Sequence, residues 1–302
     1  MARILGVGIA TLDIINTVDG YPAEDSEVRA THQRICRGGN VTNTLVVLSQ
    51  LGHHCAWAGV LADEPDARPI LDDLARYGID TQACRHVPHG KVPTSYILLN
   101  QRTGSRSIVH YRDLPEYRFA DFCNIDLSGF DWLHFEGRNV GDTCRMLHHA
   151  HNHVPGIPRS IEIEKSRPGI EKLFQHADLL LLSRHYAQSM GFTQPHEFLQ
   201  HVRRHAPQAD LICAWGDAGA YGLTRAGDVL HSPAYPPPTL IDTLGAGDTF
   251  NAGIIHARVS GLNGTGLTGA LRFGCEIAGK KCGVMGLELP HLLPDNPGLH
   301  QS

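Results

Sequence analysis

Two periods run through the apolar positions of this chain. Near-continuous apolar runs occupy residues 3–10, 55–61, 132–136, 160–163, 179–183 and 211–215. Runs this short, bounded by turn residues, read as strands covered on both faces. Between them lie stretches whose apolar residues recur three and four apart: 40–51, 67–77, 142–149, 196–205 and 270–280. These read as amphipathic helices, with Leu71, Leu74 and Ala75 sharing one face of the second. Gly52 and Gly78 stand just past the first two and act as stops. Strands alternating with helices predict an α/β fold: a doubly wound, mostly parallel central sheet with helices on both faces.

Other segments follow the period of two. Residues 94–100 and 106–112 alternate apolar and polar around the turn Gln101-Arg102-Thr103-Gly104-Ser105, which predicts an antiparallel hairpin. Residues 11–18 and 28–35 are strand-like in the same way. The segments 11–35 and 90–113 are therefore expected to build a small sheet apart from the main one. Residues 221–231 predict another hairpin, turning at Ala226-Gly227-Asp228. Gly261, Gly264, Gly266 and Gly269 predict a loop before the last helix. Residues 1–287 are expected to form one domain. Residues 288–302, with Pro290, Pro294 and Pro297, are expected to be a loosely held tail.

Composition narrows the function classes. The 302 residues carry 26 Lys+Arg against 31 Asp+Glu, a net charge of −5, with no basic block. Nucleic acid is not expected as a partner. No apolar run is long enough to span a bilayer, and Asp13 cuts short the only segment resembling a signal peptide, so neither a membrane nor a targeting segment is expected. None of the eight Cys are at C-x-x-C spacing, and reduced thiols in the cytoplasm are expected. Among twenty His, His149 and His153 are i, i+4 and offer a metal pair, but no carboxylate accompanies them at H-E-x-x-H spacing, and a solvated helix face is expected.

The chemistry gathers in two glycine-rich motifs at opposite ends of the chain. In the second, Asp242-Thr243-Leu244-Gly245-Ala246-Gly247-Asp248 leads into a helical pattern. Small residues at a helix start leave backbone N–H groups open at the positive end of the dipole, which binds anions; Gly245, Ala246 and Gly247 are the candidate anion hole. Asp248 directly behind them suits a general base taking the proton of an attacking hydroxyl in phosphoryl transfer. A plain helix cap would look the same in this motif alone. In the first, Arg37-Gly38-Gly39-Asn40-Val41-Thr42-Asn43, the glycines permit close approach, and Asn40 and Asn43 share a helix face with donors and acceptors suited to sugar hydroxyls. Asp13 follows an apolar strand, near the end of a parallel sheet where ligands bind. Gly216-Asp217-Ala218-Gly219 forms a loop after the strand at 211–215 and is the candidate nucleotide loop.

The pair of motifs resembles the two signatures of the ribokinase-like (PfkB) carbohydrate kinases, with further likeness at Tyr21-Pro22-Ala23-Glu24-Asp25-Ser26-Glu27, Gly104-Ser105-Arg106, His134-Phe135-Glu136-Gly137-Arg138-Asn139, Cys213-Ala214-Trp215 and residues 273–283. The resemblance runs from about residue 4 to about residue 287. It implies an ATP-dependent kinase of a small sugar, fructose at its 1-hydroxyl first, with another ketose, a pentose or a nucleoside as alternatives and a non-catalytic binding protein as a more distant one. It implies that Asp248 is the catalytic base and that Asp13, Gly39, Asn40, Asn43 and Arg106 meet the sugar. Gly216, Asp217, Ala218, Gly219, Gly245, Ala246, Gly247 and Cys275 would meet ATP. The small sheet becomes a lid over the sugar, joining two subunits in a homodimer and bringing Asp25 to a partner's site. Mg²⁺ is implied with ATP, and K⁺ near the loop after Asp242 and near Gly283. The chain has Ser183-Arg184-His185-Tyr186 where the wider family carries Asn-x-x-Glu, so the metal's protein contacts stay open among Glu136, Glu162 and Glu164.

Overall fold

A computed structural model of the chain describes residues 1–261 and 266–289. In chain order the strands begin with β1 (Arg3–Val7), β2 (Thr11–Val18), β3 (His32–Gly38), β4 (His54–Ala58) and β5 (Val60–Ala62). β6 (Arg85–Val87), β7 (Lys91–Asn100), β8 (Arg106–Asp113), β9 (Trp132–Glu136) and β10 (Arg159–Ile163) follow. β11 (Leu179–Ser183), β12 (Asp210–Ala214), β13 (Ala220–Leu223) and β14 (Val229–Ser232) complete them. The helices are α1 (Asn40–Gln50), α2 (Ala67–Arg76), α3 (Phe119–Phe122), α4 (Val140–His153), α5 (Arg184–Ser189), α6 (Pro195–Arg203), α7 (Ala246–Val259) and α8 (Gly266–Cys282).

The central sheet has the order β14-β13-β12-β11-β10-β9-β1-β4. The six strands from β12 to β4 are parallel, and the hairpin β13–β14 adds an antiparallel edge. Ile4, Leu5, Leu133, Phe135, Ile161, Ile163, Leu180 and Leu211 are fully or almost fully buried, as the near-continuous apolar runs require of strands covered on both faces. From β1 the chain returns through α1 to β4 on one side. From β9 it proceeds through α4 to β10 in the opposite direction. Right-handed crossovers in opposite directions put α1 and α4 on opposite faces of the sheet. α7 packs against both α1 and α8 and joins the α1 layer. The order reverses at β1 and β9, and the crevice at their carboxyl ends is the switch point where α/β sheets bind ligands.

The second sheet, β3-β2-β7-β8, stands apart as the alternation at 11–18 and 94–112 suggests. Its first strand departs from the expected 28–35: β3 begins at His32 and ends at Gly38, because pairing with β2, Thr11 opposite Gly38 and Thr17 opposite His32, sets its limits. The run at 55–61 is divided into β4 and β5, and β5 pairs with β6, whose three residues carry no period of their own. α8 starts at Gly266, so Gly266 and Gly269 belong to the helix; Gly264 lies outside the described residues. The tail expected from 288 is held at its start: Leu289 is buried and its N–H donates to Gln50 Oε1 (2.9 Å), and just before the tail Gln50 Nε2 donates to the Leu287 carbonyl (2.8 Å). Residues 290–302 lie outside the described part.

Candidate active site

The anion motif sits where α7 begins. Gly245 caps the helix with φ 80°, in the left-handed region that glycine enters without a Cβ penalty. Ala246 N–H turns back to the Thr243 carbonyl (3.3 Å), so it is not one of the open donors expected of it. The N–H groups of Gly245, Gly247 and Asp248 have no acceptor among the described residues. A Cβ added at Gly247 would meet nothing within 4 Å, so open space lies beside these donors. Orphan N–H groups, a helix dipole and free volume together make an anion site.

Asp248 lies in the first turn of α7 and is buried. Burial pushes its pKa up, Glu164 and Glu136 add to the rise, and a hydrogen bond from Asn43 together with the Arg37 charge opposes it. A carboxyl raised toward neutrality is suited to accept a proton and release it again. Asn43 Nδ2 donates to Asp248 Oδ2 at 2.6 Å, joining groups 205 residues apart in sequence. The two glycine-rich motifs thus meet at one carboxylate.

Residues 1–293 match the profile of the pfkB family carbohydrate kinases. The chain belongs to that family. Among its relatives, a ketohexokinase of Mus musculus is 42% identical over 294 residues, covering 95% of this chain and 98% of the relative. A ribokinase of Bacillus subtilis is 26% identical and covers 90% of each. The structure of a ribokinase from Giardia lamblia superposes with a TM-score of 0.83 at 15% identity, covering 95% of this chain and 96% of the other. The protein is a carbohydrate kinase that uses ATP with a divalent metal.

Of the residues expected to meet the sugar, Asp13 and Asn43 line a cleft of about 420 Å³, an ordinary size for a small-ligand pocket, together with Arg34, Cys36, Asp242 and Gly245 among others. Gly38 is required by close approach: a Cβ there would lie 2.2 Å from Asp13 Oδ2. Asp13 is buried and accepts from Thr11 Oγ1 (2.8 Å), and burial raises its pKa. Asn40 is turned to another wall: its Nδ2 donates to Glu162 Oε1 and Glu164 Oε2, both at 3.1 Å. Asn43 spends its oxygen on Arg37 and one N–H on Asp248, so it retains one donor. The two Asn amides therefore bridge α1 to two groups of carboxylates rather than presenting one open polar surface. Arg106, exposed on β8, reaches Thr243 Oγ1 (3.4 Å) from the lid. Asp25 is exposed, with φ 56°, in the loop between β2 and β3, and makes no side-chain hydrogen bond among the described residues.

The candidate nucleotide loop, residues 216–219, follows the carboxyl end of β12, and the Asp217 side chain is almost wholly exposed. Cys275 lies beside it: its Sγ faces the Ser232 carbonyl (3.8 Å), the same carbonyl against which Gly219 packs. For a divalent cation the donor chemistry fits. Glu162 is buried with Oε2 unpartnered, and burial, then Asp248, Glu136 and Glu164, drives its pKa up. No group of three His, Cys, Asp or Glu among the described residues encloses a metal by itself. A cation held by one or two carboxylates and completed by phosphate oxygens satisfies both facts. Glu162 and Glu164, spanned by Asn40, would be the residues to hold it.

K⁺ fits less well. Every Asp242 oxygen has a partner: Lys281 Nζ on the carbonyl (2.6 Å), Leu244 N–H on Oδ1 (2.9 Å), and Gly286 N–H (3.1 Å) with Arg34 (3.2 Å) on Oδ2. Burial acts to raise the Asp242 pKa, but Lys281, the two N–H groups and Arg34 hold it below the usual carboxylate range. The buried Lys281 ammonium already supplies a cation at this turn.

Several site residues escaped the sequence reading. Ser95 and His110 continue a row across the lid: Cys36 opposite Asp13, Asp13 opposite Ser95, Ser95 opposite His110. Ser95 Oγ and His110 Nδ1 are 3.3 Å apart. Strand alternation offered a signal, but the register joining four strands did not. Arg184, directly after the Ser183 that stands at the wider family's Asn position, points to Trp215 O and Asp217 Oδ1, both at 3.4 Å, beside the candidate nucleotide loop. At the His149–His153 pair the ring centroids stack 3.9 Å apart and His153 Nδ1 faces the His149 carbonyl.

Proposed function

We propose that the chain transfers the terminal phosphoryl group of ATP to the 1-hydroxyl of fructose, with Asp248 as general base. The observation that carries this reading is the buried Asp248 beside open N–H groups, reached from the other motif by Asn43. The sugar is held by Asp13, Gly39, Asn40, Asn43 and Arg106. Asp248 accepts the proton of the attacking hydroxyl while the N–H groups of Gly245, Gly247 and Asp248 take the charge growing on the phosphoryl oxygens. ATP lies along Gly216, Asp217, Ala218 and Gly219 and against Cys275. Mg²⁺ brought with ATP would neutralise its phosphates, with Glu162 and Glu164 as its protein contacts. The 42% identity to a ketohexokinase favours a ketohexose over the pentoses and nucleosides of more distant relatives.

The outer face of the lid exposes Ile35, Tyr96, Val109 and Tyr111, which the register places on one side. A one-sided sheet with an apolar outer face is stabilised by a second copy, and a homodimer through the lid follows, with Asp25 of the partner subunit free to reach this chain's sugar. The eight cysteines are unpaired, in keeping with a cytoplasmic setting. The reading is tested by ADP release over a panel of ketoses, aldoses and nucleosides with Mg²⁺. Fructose is expected to give the highest kcat/KM and fructose 1-phosphate as product; a pentose or nucleoside preferred by tenfold would displace it. Sedimentation at micromolar concentration is expected to give a dimer, and a monomer alone would remove the lid interface.

A further inference from the structure

The corner where β3 runs into α1 holds four side chains in a line. Asp73 Oδ2, from α2, accepts from Arg37 Nε at 2.7 Å. Arg37 Nη1 donates to Asn43 Oδ1 at 2.6 Å and to Thr42 Oγ1 at 3.1 Å. Asn43 Nδ2 donates to Asp248 Oδ2 at 2.6 Å. The Arg37 side chain is 2% exposed.

This line has one permitted polarity. A guanidinium carries donors only, so the Asn43 oxygen must face Arg37. The amide nitrogen must then face Asp248. The flipped amide would set an acceptor against the Asp248 carboxylate at one contact and N–H against the Arg37 N–H at the other. An Asn amide alone is nearly symmetric in shape and takes either orientation; here the choice comes from Arg37, and Arg37 is fixed in turn by Asp73.

We propose that Arg37, anchored by Asp73, is a positioning residue for phosphoryl transfer: it locks the Asn43 amide so that its N–H is aimed at Asp248 and holds that carboxylate ionised and oriented toward the substrate hydroxyl. The inference rests on Asp248 being the base. It explains why a buried Arg stands directly before the two glycines of the first motif without belonging to the anion site.

The charges around Asp248 make this role consequential. Glu136 at the end of β9 and Glu162 and Glu164 at and beyond the end of β10 surround it with negative charge. α1 brings no titratable side chain. α8, packed on α7, carries Arg272, Cys275, Glu276, Lys280, Lys281 and Cys282; Lys280 is paired with Glu276, and Lys281 is committed to Asp242. Of the groups acting on Asp248, Asn43 and Arg37 favour its ionised form, against burial and the glutamates. Losing Arg37 removes one of these directly and releases the other to rotate.

The test is the pH profile of kcat/KM for fructose at saturating ATP, for Arg37→Met, Arg37→Lys and Asp73→Asn. Arg37→Met is expected to move the acid limb upward by about 0.5 unit or more, a loss about threefold greater near the acid limb than on the plateau. Arg37→Lys, which keeps a donor-only cation, should recover part of the shift, and Asp73→Asn should show a smaller shift in the same direction. If Arg37→Met does not fold, the other two variants carry the same criterion. Folded variants with the limb in its wild-type place and the loss confined to the fructose KM would reduce Arg37 to shaping the pocket and overturn the proposal. Asp248→Asn, assayed in parallel, separates the two claims. Turnover surviving in Asp248→Asn removes the base assignment and the relay with it; turnover lost there, with an unmoved limb in the Arg37 and Asp73 variants, removes the relay alone.

Discussion

The central sheet and the lid sheet are made of similar strands and stand in opposite relations to water. β1, β9, β10 and β11 are buried at nearly every position, whereas seven of the eight residues of β8 are exposed. The chemistry follows that division. The carboxyls with a raised pKa, Asp248 and Glu162, lie by the end of the doubly covered sheet, where burial is the largest influence on each. Of the lid's residues, Asp13 alone combines a buried carboxyl with such a rise. The lid otherwise meets the centre through arginines: Arg37 on Asn43, Arg34 on Asp242, and Arg106 on Thr243. The difference teaches that burial, and the pKa tuning that follows from it, comes from the covered sheet, while the one-sided sheet contributes charged donors at its rim.

The largest effect expected within the central region is on catalysis. Asp248→Asn should lower kcat by about 10²- to 10⁴-fold. Because burial raises the Asp248 pKa in the folded state, its ionised form opposes folding at neutral pH, so the variant should melt no lower than the parent. Retention of more than about a tenth of kcat would show that the base lies elsewhere.

Stability should divide the two sheets next. Leu5, fully buried in β1, should cost about 2–5 kcal/mol on change to Ala. Val109, 70% exposed on β8, should cost within about 0.5 kcal/mol on change to Ser in dilute monomer. Urea unfolding measures both. A Val109→Ser penalty as large as that of Leu5→Ala in the monomer would erase the contrast, while one that appears only as the protein associates would place that face against a partner.

The link between the regions should be weaker than either. Arg34, with a side chain 22% exposed, pairs with Asp242 across the mouth of the cleft. Arg34→Ala is expected to lower kcat/KM by about two- to fivefold, the range of a partly exposed ion pair. A loss as large as that of Asp248→Asn would mean that lid and anion loop act as one catalytic unit.

A last effect is a gradual loss of stability in acid, seated in the central region. His53 and His256 share a hydrogen bond (2.8 Å) between Nε2 and Nδ1, and burial, then the neighbouring imidazole, brings His53 down to about 4. The folded pKa lies below the unfolded one, so the unfolded chain binds the proton first. Stability should therefore decline as pH falls from about 6.5 toward about 4, and His53→Gln should flatten that decline. Melting curves across that range would contradict this if wild type and variant fell together.

The sequence alone determined what depends on short-range order. Apolar runs at 132–136 and 179–183 became β9 and β11 with those limits, because burial of consecutive residues needs no long-range information. The turn at Gly245 and the acid behind it were legible because a left-handed helix cap and an N-terminal anion site are local. The hairpin β7–β8 was legible because alternation and a tight turn are local too. What only the tertiary structure decided involves partners far apart in sequence. Asp248 meets Asn43 across 205 residues, and Lys281 takes the Asp242 carbonyl across 39. The start of β3 moved from 28 to 32 because β2, not its own pattern, fixes its register. Arg37 stood in plain view in the first motif, yet its role depends on Asp73 from another helix. A donor acquires its meaning from the acceptor that packing brings within 3 Å, and that acceptor is chosen by the fold as a whole.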